Sequence, residues 1–217
     1  MTTGYVTVLS LALPAAVTNG ISTSQSPGGA GNLTITGSLA TGGIASLVTA
    51  QRVGIHSASD DTGRTFTVYG TDRYGRTQSE SFLGANTGTA NSTKDFLTVT
   101  RIAVDAATAG AVYAGTVAVG STAPLIFDRF VNPANCNVAL VFSGTANAGI
   151  DVSLDDLAPA WDLTSNSPTW FTPTVLASKS SNTLGQEVGP FTMMRLTVNS
   201  GTGTVTATIV TPLAGSS

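Results

Sequence analysis

The sequence predicts an all-β protein: two antiparallel β-sandwich or jelly-roll-like domains with an extended N-terminal arm. Three observations lead there. Charged residues make up only 10% of the 217 residues, Gly numbers 24, and Thr and Ser stand where Lys and Glu usually do; an ordinary soluble domain carries about 25% charged residues. Thr and Val are stiff at χ1 and pack well on a pleated surface, while long straight-chain helix formers are sparse. Apolar residues recur at period two in short segments punctuated by Gly, Asn, Asp and Pro, and no stretch joins a helical period to caps at both ends. The length suits one large β domain or two small ones, either able to fold without metal or disulfide staples.

In chain order, residues 1–17 are apolar but have no basic n-region, since the first Lys or Arg is Arg52. A secretory signal is therefore not expected. The run is also too short, and too interrupted by Ser10 and Pro14, to span a bilayer. Val6 and Val8, then Leu9, Leu11 and Leu13, alternate with polar or small residues in the manner of an extended strand. Two fates are open: a first strand of the protein's own sheet, or an arm that pairs with an exposed sheet edge on a neighbouring subunit. Residues 18–31, rich in Asn, Gly, Ser and Pro, read as a linker, so that the arm and linker occupy 1–30.

A first β domain is expected over 31–120. Residues 32–36 turn Leu33 and Ile35 inward, and residues 44–56 form a strand pair carrying Leu47, Val48, Val53 and Ile55. The centre of this domain is a hairpin of residues 65–71 and 77–82 around Asp72-Arg73-Tyr74-Gly75-Arg76, where Asp and Gly supply turn chemistry. Phe66 and Val68 then face the core, with Thr65, Thr67 and Tyr69 on the more exposed side. Residues 84–91 read as a loop. Residues 92–106 form a strand whose alternation breaks between Phe96 and Leu97, the mark of a bulge or of a strand that changes its buried face, and 111–119 return as another.

A second sandwich is expected over 121–217, with strands at 125–131, 137–142, 149–154, 192–199 and 204–210. The last two read as a hairpin around Asn199-Ser200-Gly201-Thr202-Gly203. Between 155 and 190 lies a long irregular stretch with Trp161, Trp170 and Phe171, and a loop of that length usually has a function or interface of its own.

Few residues carry chemistry. Asp151, Asp155, Asp156 and Asp162 lie close in sequence, but they lack the alternating ligands, central Gly and closing Glu of a calcium loop; turn carboxylates are the expected reading. A Ser-His-Asp triad has only His56 to draw on and no nucleophile elbow. Adjacent carboxylates such as Asp60 and Asp61 do not define a glycosidase cleft, and there is no phosphate loop, zinc spacing or dinucleotide fingerprint. The chain is expected not to be an enzyme and to need no cofactor or metal. Net charge is −3 with 9 Lys and Arg and no basic run, so nucleic acid is not an expected partner. Arg64, Arg73 and Arg76 could converge around the hairpin, but solvated turn charges are the simpler expectation. The lone Cys136 is expected to be a small buried hydrophobe. With so little charge and a mean hydropathy of +0.25, part of the surface is expected to be covered by copies of the chain or by a partner. Tyr5, Val6, Val8, Leu9, Leu11 and Leu13 in the first segment, and Trp161, Trp170 and Phe171 in the long loop, are the candidate contacts. The aromatic segment around Trp170 has two further readings, a sugar-stacking platform and a filler of the second core.

Several motifs together resemble the β-rich accessory structural proteins of tailed bacteriophage virions. They are Phe66-x-Val68-x-Gly70-Thr71-Asp72-Arg73-Tyr74-Gly75-Arg76, Ser92-Thr93-Lys94 with Leu97-Thr98-Val99-Thr100, and Asp105-Ala106-Ala107-Thr108-Ala109-Gly110. Asp128-Arg129-Phe130-Val131-Asn132-Pro133 and Thr197-Val198-Asn199-Ser200-Gly201-Thr202-Gly203 complete the set. The similarity spans about residues 31–210, in turns and strand patterns rather than catalytic signatures. It implies a capsid decoration or cement protein: a homo-oligomer, dimer or trimer, made in the host cytoplasm and seated on the major capsid protein at the virion exterior. A short-tail, neck or fibre component is the alternative it implies, and a carbohydrate-binding module is a third class. It transfers no functional residue.

Overall fold

The structure is a computed structural model and describes residues 5–127, 134–155 and 168–211. Among the described residues it is all-β, built of antiparallel strand pairs, with one short 3-10 turn at Thr174–Leu176. The chain forms two compact units: Pro14–Gly120, and Met1–Leu13 together with Ser121–Ser217.

The first strand, β1 (Tyr5–Ala12), belongs to the second of these units. In the 14–120 unit, β2 (Ser22–Gln25), β3 (Gly31–Asn32), β4 (Ala40–Thr41), β5 (Ile44–Gln51), β6 (Val53–Asp60), β7 (Thr65–Thr71), β8 (Thr77–Leu83), β9 (Asn86–Asn91), β10 (Phe96–Val104) and β11 (Val112–Thr116) form two sheets. One runs β4-β5-β10-β7-β8, with β3 added beside β10, and the other β2-β11-β6-β9. Their inner faces share one core of Leu47, Phe66, Val68, Phe96 and Ile102 with Ile21, Val53, Ile55 and Val112. The β7–β8 hairpin forms as the alternation predicts: Phe66 and Val68 are fully buried, and Asp72 Oδ1 accepts bonds from the Tyr74 and Arg76 amides to close the turn. The break at Phe96–Leu97 is a register shift against β5.

Three expectations for this half need correction. Residues 18–31 are not a linker throughout: Ile21 is fully buried and β2 pairs with β11. The path there depends on glycine, because a Cβ on Gly115 would collide with the carbonyl oxygen of Val17. Residues 44–56 are not a paired hairpin, since β5 and β6 lie in different sheets and the chain crosses between them at Arg52, whose amide bonds to Val119 O. Residues 86–91 are a strand, β9, paired with β6.

The other unit contains β1, β12 (Gly120–Ser121), β13 (Leu125–Ile126), β14 (Ala134–Ser143), β15 (Ala146–Ser153), β16 (Thr183–Gly189), β17 (Met193–Gly201) and β18 (Thr204–Thr211). One sheet has the order β1-β18-β14-β16; in the other, β17 pairs with β15, β12 and β13. Leu11, Leu13, Cys136, Val138, Leu140, Val205, Ala207 and Ile209 pack against Ala148, Ile150, Val152, Met194, Leu196 and Val198, which is a sandwich core.

Two corrections follow here. The first segment is not a free arm, because all of β1 pairs antiparallel with β18, from Tyr5 opposite Thr211 to Ala12 opposite Thr204. Its physical reason is burial: Leu11 and Leu13 are core residues that an unpaired arm would leave in water. The segments at 192–199 and 204–210 are not a hairpin; β17 and β18 belong to opposing sheets and the chain arches over the edge of the core between them. Their alternation places both apolar faces inward but does not name the edge to which each strand bonds.

Candidate interaction surfaces

The outward face of β1-β18-β14-β16 is built by the strand period of two. Inward residues of each strand fill the core, so the alternate residues form a second, solvent-facing surface. Register places Val6 opposite Val210, then Asn137, then Gln186; the next row is Val8, Thr208, Ala139 and Leu184; the next, Ser10, Thr206 and Val141. Val188 faces out opposite Asn135. Large apolar side chains on this face are well exposed: Val6 62%, Val8 57%, Val141 46%, Leu184 76% and Val188 56%. None of its described positions is Asp, Glu, Lys or Arg. Its polar residues partly satisfy each other, as when Gln186 Nε2 donates to Asn135 Oδ1 at 2.8 Å.

The structure thus divides the candidate contacts of the first segment. Val6 and Val8 point out on this face. Leu11 and Leu13 are buried and Leu9 packs against the same core, which makes them structural. Tyr5 opens the strand opposite Thr211. The signal missed in the sequence is β16: Leu184 and Val188 are outward, and no period-two core pattern marks their strand.

A second surface surrounds Trp170. Asp151 on β15 sits directly opposite Arg195 on β17, and the guanidinium holds its carboxylate at 3.1 Å. Thr197 donates to Asp151 Oδ2 at 2.6 Å and Thr172 to Oδ1 at 2.7 Å. The Arg195 guanidinium also lies 4.2 Å from the centre of the Trp170 ring, a cation–π contact. One face of the indole is therefore occupied by the guanidinium. Phe171 is 53% exposed beside it, anchored by paired backbone bonds to Val152. Trp161, Asp156 and Asp162 lie outside the described residues.

The remaining chemistry-bearing side chains are scattered. Asp155 accepts from the Thr169 amide. His56 Nδ1 is 3.0 Å from Gly88 O and its ring packs edge-on against Tyr113. Arg64, Arg73 and Arg76 do not converge: they reach Ala107 O, Asp95 and the Tyr74 ring respectively. Among the described residues no three His, Cys, Asp or Glu side chains gather in a metal-ligating group, and no helix is long and apolar enough to cross a membrane. Cys136 is fully buried, its thiol pushed up to about 11 by desolvation and then by the nearby Glu187. Burial in turn raises the Glu187 carboxyl above its ordinary value; its Oε1 has no partner among the described residues.

No protein-family model and no curated protein matches this chain.

Proposed function

We propose that this chain is a multi-copy structural component of a tailed-phage virion, a decoration or cement protein that binds the assembled head lattice from outside and takes no part in catalysis. The observation that carries this reading is the outward face of β1-β18-β14-β16, whose described positions expose Val6, Val8, Val141, Leu184 and Val188 and include no Asp, Glu, Lys or Arg. A surface of that kind is a contact surface, because contiguous exposed apolar area on a soluble β domain marks an interface. The motif resemblance to virion accessory proteins supplies the partner class.

Cementing then follows from linkage. A protein that binds only the assembled, expanded shell shifts the equilibrium toward it, and many weak copies add up. A multi-copy role of this kind also suits a short-tail, neck or fibre position. Co-sedimentation with empty capsids encoded by the same genome tests the proposal: saturable pelleting and a higher temperature of shell breakdown support it, and a chain that stays in the supernatant at all concentrations rules out head binding. Immunogold labelling of virions then separates head from tail.

A further inference from the structure

We infer that the outward face of β1-β18-β14-β16 is the site where a second copy of this chain docks, face to face, in a two-fold dimer. The inference rests on the proposed multi-copy role and names its self-contact.

Charge identifies the occupant. Val6, Val210, Asn137 and Gln186 in one row, and Val8, Thr208, Ala139 and Leu184 in the next, bring no ionisable group. A partner with an ionic contact surface would have to bury its charges against a face that offers no counter-charge, at a large desolvation cost. A copy of the same face brings none. Its Thr, Asn and Gln side chains instead meet their own kind, which can donate and accept in both directions. An isologous contact needs one self-complementary patch, and this patch is of mixed Val, Leu, Ala and Thr relief rather than a uniform wall.

Area agrees. With strands about 4.8 Å apart and a rise of about 3.4 Å per residue, a face four strands wide and eight residues long covers roughly 500 Å² per copy. Two such faces bury about 1,000 Å², at the lower bound for a specific interface. Sheets packed this way settle about 10 Å apart with strands crossing near 30°.

The test uses the full chain. Sedimentation equilibrium of the wild type should give a dimer at micromolar concentration. Val8→Lys with Leu184→Lys places like charges across the two-fold and should weaken dimerisation about a hundredfold or more, with an unchanged far-UV spectrum and cooperative melting. The milder pair Val8→Thr and Leu184→Thr keeps strand propensity and should weaken it by a smaller factor, so a folding defect in the Lys pair cannot mimic the result. Val48→Lys, at an exposed position in the other unit, should leave the mass unchanged. A monomeric wild type, or a dimer indifferent to both pairs, overturns the inference. Capsid co-sedimentation of the same variants separates the two readings. A dimer sensitive to these substitutions that ignores capsids sinks only the cement role. A wild-type monomer that pellets with capsids, and loses pelleting in the Lys pair, assigns the face to the capsid and sinks the dimer.

Discussion

The ion pair of buried Asp151 with half-buried Arg195 shows how one carboxylate organises its surroundings. Its two oxygens accept from Arg195, Thr172 and Thr197, tying β15, β17 and the strand-free segment near Trp170 together. Removing the carboxylate leaves the Thr172 and Thr197 hydroxyls without their acceptor and takes one ionic partner from the half-buried guanidinium. Asp151→Ala is therefore expected to cost about 1–3 kcal/mol in urea unfolding, while Arg195 loses its anchor beside Trp170 and the indole fluorescence red-shifts. Glu187 behaves in the opposite sense. Its folded-state pKa is raised by burial, so the neutral carboxyl is the form the fold prefers. Stability linked to it is fully present below the unfolded value of about 4.5 and declines as pH rises through the folded one. Glu187→Gln should raise the melting temperature at pH 7 by a few degrees on the order expected for small stabilisations, and the advantage should vanish below about pH 4. Thermal melts at the two pH values check it; an equal gain at both would mean that the carboxyl does not titrate with folding.

At the scale of elements, β1 is two-sided, and its sides make different predictions. Leu11→Ala opens the sandwich core and is expected to cost about 2–5 kcal/mol. Val8→Thr, on the outer face, should stay within about 0.5 kcal/mol in the isolated chain. Chemical denaturation of the two variants side by side would show whether the strand is held by its inner row, as the packing requires. Truncating the first segment is a poor probe of binding for the same reason, since it removes core and surface at once. The strands that sequence alone locates are those whose apolar residues face the core: β7, β10, β15, β17 and β18 all announce themselves by alternation. β16 does not, because it turns Leu184 and Val188 outward and buries Glu187, an inversion that reads as loop. β9, with no large apolar side chain in NTGTAN, leaves no trace either. Pairing is less legible than existence. The β7–β8 partners are joined by five residues of turn chemistry, whereas β17 and β18, even closer in sequence, bond to different sheets because a shared core constrains faces and leaves edges open. The candidate site was half visible: Val6 and Val8 stand out by period, but the strands that complete their surface lie far along the chain.

At the scale of the whole molecule, the two units have separate cores. The Pro14–Gly120 unit contains every strand of its two main sheets within one continuous segment, and it is expected to fold when expressed alone. A dispersed amide spectrum and a cooperative melt of residues 14–120 would confirm this; a collapsed, non-cooperative fragment would show that it depends on the rest of the chain. The complementary unit is discontinuous and has no such independence.

That discontinuity reaches into biosynthesis. Ser10 on β1 and its neighbour Thr206 on β18 are separated by 196 residues. A ribosome adding about 5–20 residues per second takes roughly 10–40 s to bring the second strand out after the first. During that interval β1, with Val6, Val8, Leu9, Leu11 and Leu13 all unpaired, trails from a nascent chain whose 14–120 unit has already been made. The segment that completes the sandwich is thus also the one most exposed to wrong partners while the chain is being born, and neighbouring nascent chains on one message carry the same strand and, later, the same vacancy for it.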